Sequence, residues 1–355
     1  MIPNKKIILT GTHLTPALAF IDQLKKDKSI NWKIFYIGRN YNSTQKKVAS
    51  IESKKIPRKN IPFYGLNCGK FDRRWFPNTL KGIPQTFSAF TKSLKLIKQI
   101  KPDICVSFGG YVSVPVIIAS FLSKIPSVSH EQTNTLSLST KINSLFVDFT
   151  ALSFPQKKYS QKQIYTGNLL RPDIYKRKSA LFQSLNIRKP LIFITAGNQG
   201  SHSINLLIPD LAKKNPKYFF IHQTGLLEFQ DYKNINLNNY FPIDYVDTSD
   251  IGWILNNSQI IISRSGANTS QEIVALSKTS ILIPLPKTQQ NEQIKNAHWV
   301  KRHLPKQTIV LKQDQLTLKK LQNSINKLSH ITHQTITVSV KNNPKLLKLC
   351  HEILT

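Results

Sequence analysis

Cysteine is scarce in this sequence, and long apolar runs are missing. The three cysteines, Cys68, Cys105 and Cys350, lie far apart and form no CxxC pair. This spacing argues against a disulfide framework or a zinc site and fits a reducing cytoplasm. The longest apolar run, residues 112–122, is interrupted by Pro115 and is too short to span a bilayer. The sequence therefore predicts no membrane-spanning helix.

Acidic side chains are also few: 18 aspartates and glutamates stand against 50 lysines and arginines, which gives a formal net charge of +32. Such an excess indicates an anionic partner, which could be nucleic acid, an anionic membrane surface or a phosphorylated substrate. Because the lysines are spread along the chain, a compositional bias of the source genome explains the same charge. Composition alone leaves these alternatives open.

The N-terminal residues superficially resemble a signal peptide, since Lys5 and Lys6 precede an apolar stretch. Residues 10–13 and Pro16 interrupt the apolar core that a signal peptide requires. We therefore expect a strand followed by a loop at this end of the chain.

The length of 355 residues predicts two domains of about 150 residues each. Short β-branched runs alternate with helical stretches, which is typical of parallel sheets covered by helices on both faces. Strands are predicted at residues 7–10, 33–37, 103–108, 127–129, 149–152, 190–196, 218–223, 259–263, 280–283 and 308–311. Helices are predicted at about residues 16–27, 87–100, 203–214, 250–256, 269–276 and 290–301. The pattern predicts an α/β protein with two Rossmann-like, doubly wound domains.

The domain boundaries follow from where this pattern pauses and restarts. Residues 171–189 are charged and are bracketed by prolines, so they are the best candidate for a linker. We expect a first domain at residues 1–168, a linker at 169–189, a second domain at 190–335, and a C-terminal helix at 336–355 that could return to the first domain.

In open α/β sheets, a ligand binds beyond the carboxyl ends of the strands. Six loops occupy such positions, following Thr10, Phe108, Ser129, Ala196, Ser263 and Ile283. Each of them carries glycine, histidine or polar side chains where a plain turn would suffice. We therefore expect the ligand-binding residues in these loops.

The first of these loops is Thr10-Gly11-Thr12-His13. Gly11 allows close approach of the backbone, the hydroxyl groups and amides can hold a phosphate, and His13 can act as a base or a hydrogen-bond donor. A plain strand-to-helix turn with an exposed histidine is the alternative.

Two further loops in the first domain share this character. Gly109 and Gly110 allow a chain or ligand to pack closely, and Ser113 can cap the next helix. Residues 130–134 form a polar run that folding alone rarely requires and that suits a hydroxyl-rich or charged ligand. A purely structural role is the alternative for residues 130–134.

The richest loop of the second domain is residues 263–272. Thr269 and Glu272 have the spacing of a capping box, in which Glu272 would satisfy an amide at the start of a helix. Alternatively, Glu272 receives ribose hydroxyl groups while the neighbouring amides receive phosphate. The spacing slightly favours the cap.

Two other segments of the second domain are weaker signals. Residues 197–201 resemble a phosphate-binding loop, although a single Gly-x-x-Gly motif is also a common turn. Gln293 and Asn296 lie three residues apart on one predicted helix face and could both meet a ligand. A solvated helix start is the alternative.

Taken together and in order, these motifs resemble those of the MurG family of glycosyltransferases. The resemblance extends from about Ile7 to Ala297, and the order of the motifs is more specific than any one of them. Members of this family transfer N-acetylglucosamine from its UDP form to undecaprenyl-pyrophosphoryl-muramoyl-pentapeptide. The resemblance implies the glycosyltransferase B fold, with two Rossmann-like domains facing a central cleft. It also implies inversion at the anomeric carbon, with no nicotinamide or other cofactor and no tightly bound metal.

The resemblance assigns most of the site to the donor. It implies donor contacts by Thr10, Gly11, Thr12, Arg171, Asn198, Val246, Ala267, Asn268, Thr269, Ser270, Gln271, Glu272 and Gln293. Within this set, Arg171 corresponds to an arginine at the domain hinge, Asn198 stands where the family has serine, and Val246 would contact uracil. Residues 267–272 would hold the diphosphate and ribose, and Gln293 would meet the sugar. Glu272 thereby becomes a predicted ribose ligand, with or without a capping role.

The acceptor side follows from the same resemblance. It implies acceptor-side roles for Gly109, Gly110, Tyr111, Ser113, His130 and Glu131, and catalytic roles for His13, as candidate base, and Asn134.

Two segments depart from the family pattern. The family's Gly-Gly-Thr-Gly-Gly-His is replaced by residues 8–13, in which β-branched Thr12 narrows the allowed backbone angles. The family's His-Glu-Gln-Asn becomes His-Glu-Gln-Thr-Asn, so Thr133 stands where asparagine is usual and Asn134 follows one step later.

A membrane surface is the partner that the resemblance favours for the positive charge. Basic and aromatic side chains alternate at Lys70, Arg73, Arg74, Trp75, Phe76 and Lys81, followed by the row Lys92, Lys95 and Lys98. Such a surface suits anionic headgroups at roughly 1 kcal/mol per basic side chain. We expect a cytoplasmic protein, peripheral on the inner face of the cell membrane, with a UDP-sugar and a lipid-linked acceptor as partners and no nucleic acid. A solvated basic helix is the alternative.

Four other functions stay open at the level of sequence. A related transferase could use another lipid acceptor, and a UDP-N-acetylglucosamine 2-epimerase has a similar architecture but needs more acidic residues. A nucleic-acid-binding protein would explain the charge, although no helix-turn-helix, zinc finger or aromatic strand platform is evident. A relative that binds the donor without turnover would explain the altered loops.

Overall fold

The computed structural model describes residues 2–43, 48–69, 83–156, 158–197, 199–286, 291–331 and 343–355. The chain divides into two compact units, one of residues 1–169 with 342–355 and one of residues 170–341. Each unit contains one parallel β-sheet with helices packed against it. The predicted class, with two doubly wound α/β domains, is confirmed.

The secondary structure alternates between strands and helices along the described chain. The strands are β1 (Asn4–Thr10), β2 (Asn31–Arg39), β3 (Tyr41–Ser43), β4 (Val48–Ala49), β5 (Phe63–Leu66), β6 (Ile104–Ser107), β7 (Ser127–Glu131), β8 (Phe149–Leu152), β9 (Gln163–Tyr165), β10 (Leu191–Thr195), β11 (Phe219–Gln223), β12 (Tyr240–Ile243), β13 (Ser258–Ser263), β14 (Ser280–Leu282) and β15 (Thr308–Val310). The helices are α1 (Leu14–Lys26), α2 (Ile51–Lys55), α3 (Ile83–Ile100), α4 (Ser113–Leu122), α5 (Leu138–Asn143), α6 (Ala180–Gln183), α7 (His202–Asn205), α8 (Ile208–Lys213), α9 (Phe229–Tyr232), α10 (Ile251–Asn257), α11 (Ala267–Ala275), α12 (Glu292–His303), α13 (Leu318–Ser329) and α14 (Lys345–Leu354). Short 3-10 turns lie at Pro57–Lys59, Pro172–Tyr175 and Gln313–Gln315.

The sheet of the first unit has the strand order β5-β2-β1-β6-β7-β8-β9, with all neighbours parallel. Its central strand β1 contains Ile7, Ile8 and Leu9, which are fully buried, as expected for a parallel strand covered on both faces. Ile7 and Leu9 pack into a cluster with α1 and α14, whereas Ile8 packs with α3 and α4 on the opposite face. The C-terminal helix is therefore part of the core of this unit.

The sheet of the second unit has the order β12-β11-β10-β13-β14-β15, again with all neighbours parallel. Ile192 and Ile194 of β10 belong to one core cluster with Leu321 and Ile325 of α13. Residues 170–189, expected as a linker, lie within this unit and include the 3-10 turn Pro172–Tyr175 and helix α6.

Most of the predicted helices match the structure to within four residues at either end, and two differences have a clear structural cause. The helix predicted at 203–214 is divided into α7 and α8, because Pro209 in the first turn of α8 has no N–H to donate and would clash with a continuous helix. The helix predicted from Thr269 begins at Ala267, with Gly266 as its N-cap. Thr269 therefore lies inside the first turn, and the predicted capping box with Glu272 is wrong.

The three cysteines lie in the interior of the fold. All three cysteines are buried and none forms a disulfide, and burial raises the pKa of the Cys105 thiol to about 12. Among the helices of the described ranges, none is both long enough and apolar enough to cross a bilayer.

Candidate active site

The loops after β1 and β6 are in direct backbone contact at the carboxyl edge of the first sheet. The N–H of Thr12 donates to Gly109 O at 3.0 Å, and the N–H of Phe108 donates to Thr10 O at 2.7 Å. Gly11 has a φ of +133°, and a Cβ there would lie 2.7 Å from Gly109 O. Only glycine fits this position without moving the backbone. Two of the predicted loops therefore meet.

Thr12 has a negative φ, so the strain expected at this β-branched residue does not arise. Its side chain instead requires glycine at position 110, where a Cβ would overlap Thr12 Oγ1. Ser113 was expected to cap the next helix, but α4 has Val112 as its N-cap. The Ser113 hydroxyl group donates to Gly110 O at 2.8 Å and accepts from Asn143 Nδ2 at 3.0 Å. Ser113 therefore holds the glycine loop in place, and the capping prediction is wrong.

His13 lies immediately before α1, with its ring beside Gly109. Burial lowers the pKa of His13; the carboxylate of Glu131 opposes this shift and Arg39 adds to it. The imidazole is therefore neutral near pH 7 and can accept a proton.

His130 and Glu131 are buried at the end of β7. Burial lowers the pKa of His130 to about 4, and its Nδ1 has no hydrogen-bond partner in the described part of the chain. The Glu131 carboxylate accepts from the backbone N–H groups of Thr133 at 3.0 Å and Ser137 at 2.8 Å. Glu131 thus shapes the loop that carries Asn134, rather than leaving its carboxylate open to a ligand.

Thr10 and Tyr111 add polar groups to the same edge. Thr10 is fully buried, and no hydrogen bond to its Oγ1 exists within the described ranges. Because a buried hydroxyl without a partner is unfavourable, a ligand or water is expected to meet it. Tyr111 is partly buried, which raises its pKa and keeps its hydroxyl group protonated.

In the second unit, Glu272 is held by Arg171. The Nε and Nη2 atoms of Arg171 donate to the two carboxylate oxygens at 2.8 and 3.1 Å, in a bidentate arrangement. The side chain of Glu272 is 3% exposed and that of Arg171 is 22% exposed. The Glu272 carboxylate, for which the sequence offered a helix cap or a ribose contact, is therefore paired with an arginine. Its partner Arg171 was predicted separately as a donor ligand.

The N-terminus of α11 has no side-chain cap, since Gly266 occupies the N-cap position. The first amides of a helix carry partial positive charge and favour an anion. Close by, Ser270 Oγ and Gln271 Nε2 are buried without hydrogen-bond partners among the described residues. These polar groups and the open helix end fit an anionic, hydroxyl-bearing ligand.

Ser265 joins this loop to α12. Its hydroxyl group donates to Gln293 O at 2.7 Å, and its carbonyl accepts from Asn296 Nδ2 at 3.1 Å. Asn296 is fully buried, so only Gln293 of the two predicted ligand-facing residues keeps exposed surface. Gln293 is only partly buried and accepts from the N–H of Leu285 at 2.9 Å through Oε1.

The loop after β10 contains two glycines with positive φ, Gly197 at +79° and Gly200 at +72°. A Cβ at Gly200 would overlap the carbonyl oxygen of Thr224. Asn198 lies outside the described residues. Val246 follows β12 and is buried, and its contact with uracil stays a prediction.

Arg264 lies in the loop of residues 263–272 that the sequence singled out, but no role was predicted for it. Only 8% of the residue is exposed, and Nη1 donates to Ile283 O at 3.0 Å. Nη2 lies 2.6 Å from Ser201 Oγ, 3.0 Å from Ser203 Oγ and 2.6 Å from Gln313 Oε1. An arginine placed among small polar residues directly after a buried strand was the available signal.

Known proteins match this chain over both halves. The glycosyltransferase family 28 N-terminal domain matches residues 8–151, and the glycosyltransferase family 28 C-terminal domain matches residues 191–350. A Borreliella burgdorferi protein named UDP-N-acetylglucosamine--N-acetylmuramyl-(pentapeptide) pyrophosphoryl-undecaprenol N-acetylglucosamine transferase is 34% identical, covering 83% of this chain and 80% of its own length.

Solved structures show the same fold at lower identity. Acinetobacter baumannii MurG superposes with a TM-score of 0.68 at 19% identity, covering 98% of this chain and 99% of that one. A UDP-GlcNAc 2-epimerase from Neisseria meningitidis superposes with a TM-score of 0.64 at 16% identity, covering 99% of both chains. Transferases and epimerases thus share this architecture, and the fold alone does not choose between them.

Proposed function

The chain belongs to glycosyltransferase family 28, in its MurG group, and on that premise we propose that it transfers N-acetylglucosamine from UDP-N-acetylglucosamine to the lipid-linked muramoyl-pentapeptide precursor of peptidoglycan. The observation that carries this proposal is the 34% identity to a transferase of that name over 83% of the chain. The polar loops at the carboxyl ends of both sheets support it, because a sugar nucleotide and a sugar acceptor each need such a surface.

The proposed reaction is an inverting substitution. A hydroxyl oxygen of the acceptor forms a bond to the anomeric carbon while the bond from that carbon to the β-phosphate oxygen breaks, and UDP leaves with the electron pair. The open N-terminus of α11 is suited to stabilise the charge that develops on UDP. The proton of the attacking hydroxyl group goes to a base, for which His13 is our candidate because its lowered pKa keeps it neutral.

The remaining donor contacts follow from the family resemblance and from the hydrogen-bonding groups of each side chain. Glu272 would accept hydrogen bonds from the ribose hydroxyl groups while Arg171 fixes its orientation. Gln293 would meet the sugar. The residues of the first unit, including Asn134 and Tyr111, would orient the acceptor.

A radiolabel assay tests the proposal. The full chain receives UDP-N-acetylglucosamine labelled in the sugar, together with either the undecaprenyl-linked muramoyl-pentapeptide or diacylglycerol. We expect label to move to the muramoyl lipid alone. Transfer only to diacylglycerol would support the related lipid transferase, and formation of the 2-epimer without any acceptor would support the epimerase.

We further propose that the first unit docks on an anionic membrane surface. Phe121 and Leu122 at the end of α4 and Leu145 after α5 are 52%, 59% and 70% exposed. Phe121 packs edge-on against Phe146 at 5.5 Å between ring centroids, and α4 packs against α5, so the exposed end of α4 lies beside the segment that carries Leu145. Of the basic set predicted from the sequence, residues 70–81 lie outside the described ranges.

Cations accompany these exposed apolar side chains. Lys124 follows α4 and Lys141 lies in α5, and both are exposed. Lys92, Lys95 and Lys98 are exposed on α3, which packs beside α4. Apolar side chains that insert among the headgroups, next to lysines that attract them, are the combination that peripheral membrane proteins use.

Vesicle sedimentation tests this docking. Wild type is expected to sediment with vesicles containing phosphatidylglycerol and to remain in solution with phosphatidylcholine alone. The double variant Phe121→Ser with Leu145→Ser should lose most of this binding because it removes the inserting side chains. Leu227→Ser provides the control, since Leu227 is 86% exposed in the second unit. Equal binding by the double variant would contradict the proposed docking.

A further inference from the structure

Arg264 carries a buried charge that no carboxylate of its unit balances. Its hydrogen bonds go to a backbone carbonyl, two serine hydroxyl groups and a side-chain amide, and burial lowers its pKa to about 10. Within the described residues of the second unit, no aspartate or glutamate pairs with it. The undescribed residues of that unit, 198, 287–290 and 332–341, contain neither aspartate nor glutamate.

An uncompensated buried guanidinium is costly, because neutral oxygens replace only part of the hydration that it loses. Arg264 nevertheless stays protonated at neutral pH, since a pKa of about 10 lies well above it. The fold alone does not explain why this charge is buried, whereas an anionic ligand that binds near the guanidinium would.

The contacts of Arg264 join the ends of three strands. Ser201 and Ser203 lie at the start of α7 after β10, Ile283 directly follows β14, and Gln313 lies in the turn after β15. Arg264 itself follows β13, whose last residue pairs in register with the last residue of β10. One side chain therefore ties together four loops on the carboxyl edge of the sheet.

The open helix end lies next to this junction. Gly266, the uncapped N-cap of α11, stands two residues after Arg264, so the guanidinium and the helix amides belong to the same short loop. Both favour negative charge at this edge, one through a full charge and the other through partial charges.

We propose that Arg264 is a positioning residue of the donor site, which holds the loops after β10, β13, β14 and β15 in register and supplies the positive charge that the donor diphosphate balances. This inference rests on the proposed function, since it assumes a nucleoside diphosphate as ligand. It distinguishes two parts of the ligand: binding of the diphosphate should depend more strongly on Arg264 than binding of the nucleoside does.

Lys278 provides a matched control. It is also buried, with 9% of the residue exposed, and burial lowers its pKa to about 8. Its Nζ donates to Asn256 O at 2.8 Å. Lys278 precedes β14, however, and therefore lies at the amino edge of the same sheet, away from the loops.

The test compares binding of UDP and of uridine to the full chain by calorimetry and ligand-observed NMR. We expect Arg264→Gln to weaken UDP binding by about tenfold or more, as the loss of a charged partner predicts, while uridine binding changes by less than about twofold. Arg264→Lys keeps the charge without the planar fork and should restore part of the UDP affinity. Lys278→Gln should leave both affinities near wild type.

The other outcomes are distinct. Equal losses of UDP and uridine binding in Arg264→Gln would show a merely structural role and overturn the inference. Unchanged UDP binding in that variant would overturn it as well. Failure of the wild type to bind UDP would instead refute the donor assignment, on which the inference depends.

Discussion

At the scale of single residues, the ion pair of Arg171 and Glu272 is the main difference between the structure and what the sequence predicts. The spacing of Thr269 and Glu272 is compatible with a cap, and the resemblance with a ribose ligand, but neither indicates that the carboxylate holds an arginine. The partners are 101 positions apart in sequence, and only the fold brings them within 2.8 Å. Long-range ion pairs of this kind leave no local pattern in a sequence.

A double-mutant cycle separates the two roles of Glu272. If it receives the ribose, Glu272→Gln should weaken both UDP and uridine binding by about tenfold or more, because each ligand contains ribose. If it only orients Arg171, then Arg171→Met and Glu272→Gln should have equal, non-additive effects. Binding constants for both ligands measure the difference, and Asp231→Asn is the control because this carboxylate is exposed. A wild-type uridine affinity in Glu272→Gln would contradict the ribose contact.

At the scale of elements, the ten predicted strands are present, whereas the short strands β3, β4, β5, β9 and β12 and several loop details were not predicted. Continuous apolar runs such as residues 191–195 indicate buried parallel strands, and glycines such as Gly11 indicate the loops between strands and helices. Helix α11 begins two residues earlier than expected because glycine can serve as an N-cap without a side-chain bond. The roles of Ser113 and Arg264 depend on partners that are distant in sequence, so local spacing could not predict them.

At the scale of the whole molecule, each unit contains a buried, neutral histidine in a strand of its sheet. Burial lowers the pKa of His130 in the first unit to about 4 and that of His222 in the second to about 3. His222 is held neutral between Tyr240, at 2.8 Å from Nδ1, and Asn205, at 3.0 Å from Nε2. Both must gain a proton when the chain unfolds in mild acid.

This linkage predicts acid sensitivity of the fold. Unfolded histidine binds a proton below about pH 6.5 while the folded residues do not, so the free energy of unfolding falls as the pH decreases from 6.5 towards 4. Each histidine is expected to contribute a loss of about 2 kcal/mol between pH 7 and pH 5. Urea unfolding at the two pH values measures this, and His222→Gln is expected to lose the contribution of that residue, about 2 kcal/mol. Equal stability of the wild type at pH 7 and pH 5 would contradict the buried neutral histidines.

The central claim is sugar transfer from a uridine nucleotide to a lipid, and the most direct measurement follows both products of one reaction. The full chain is incubated with UDP-N-acetylglucosamine labelled in the sugar and with the undecaprenyl-linked muramoyl-pentapeptide, and the labelled lipid and free UDP are quantified together. The proposed function predicts that the two products appear in equal amounts and that neither forms without the lipid. Label that stays water-soluble, or release of UDP without labelled lipid, would contradict it.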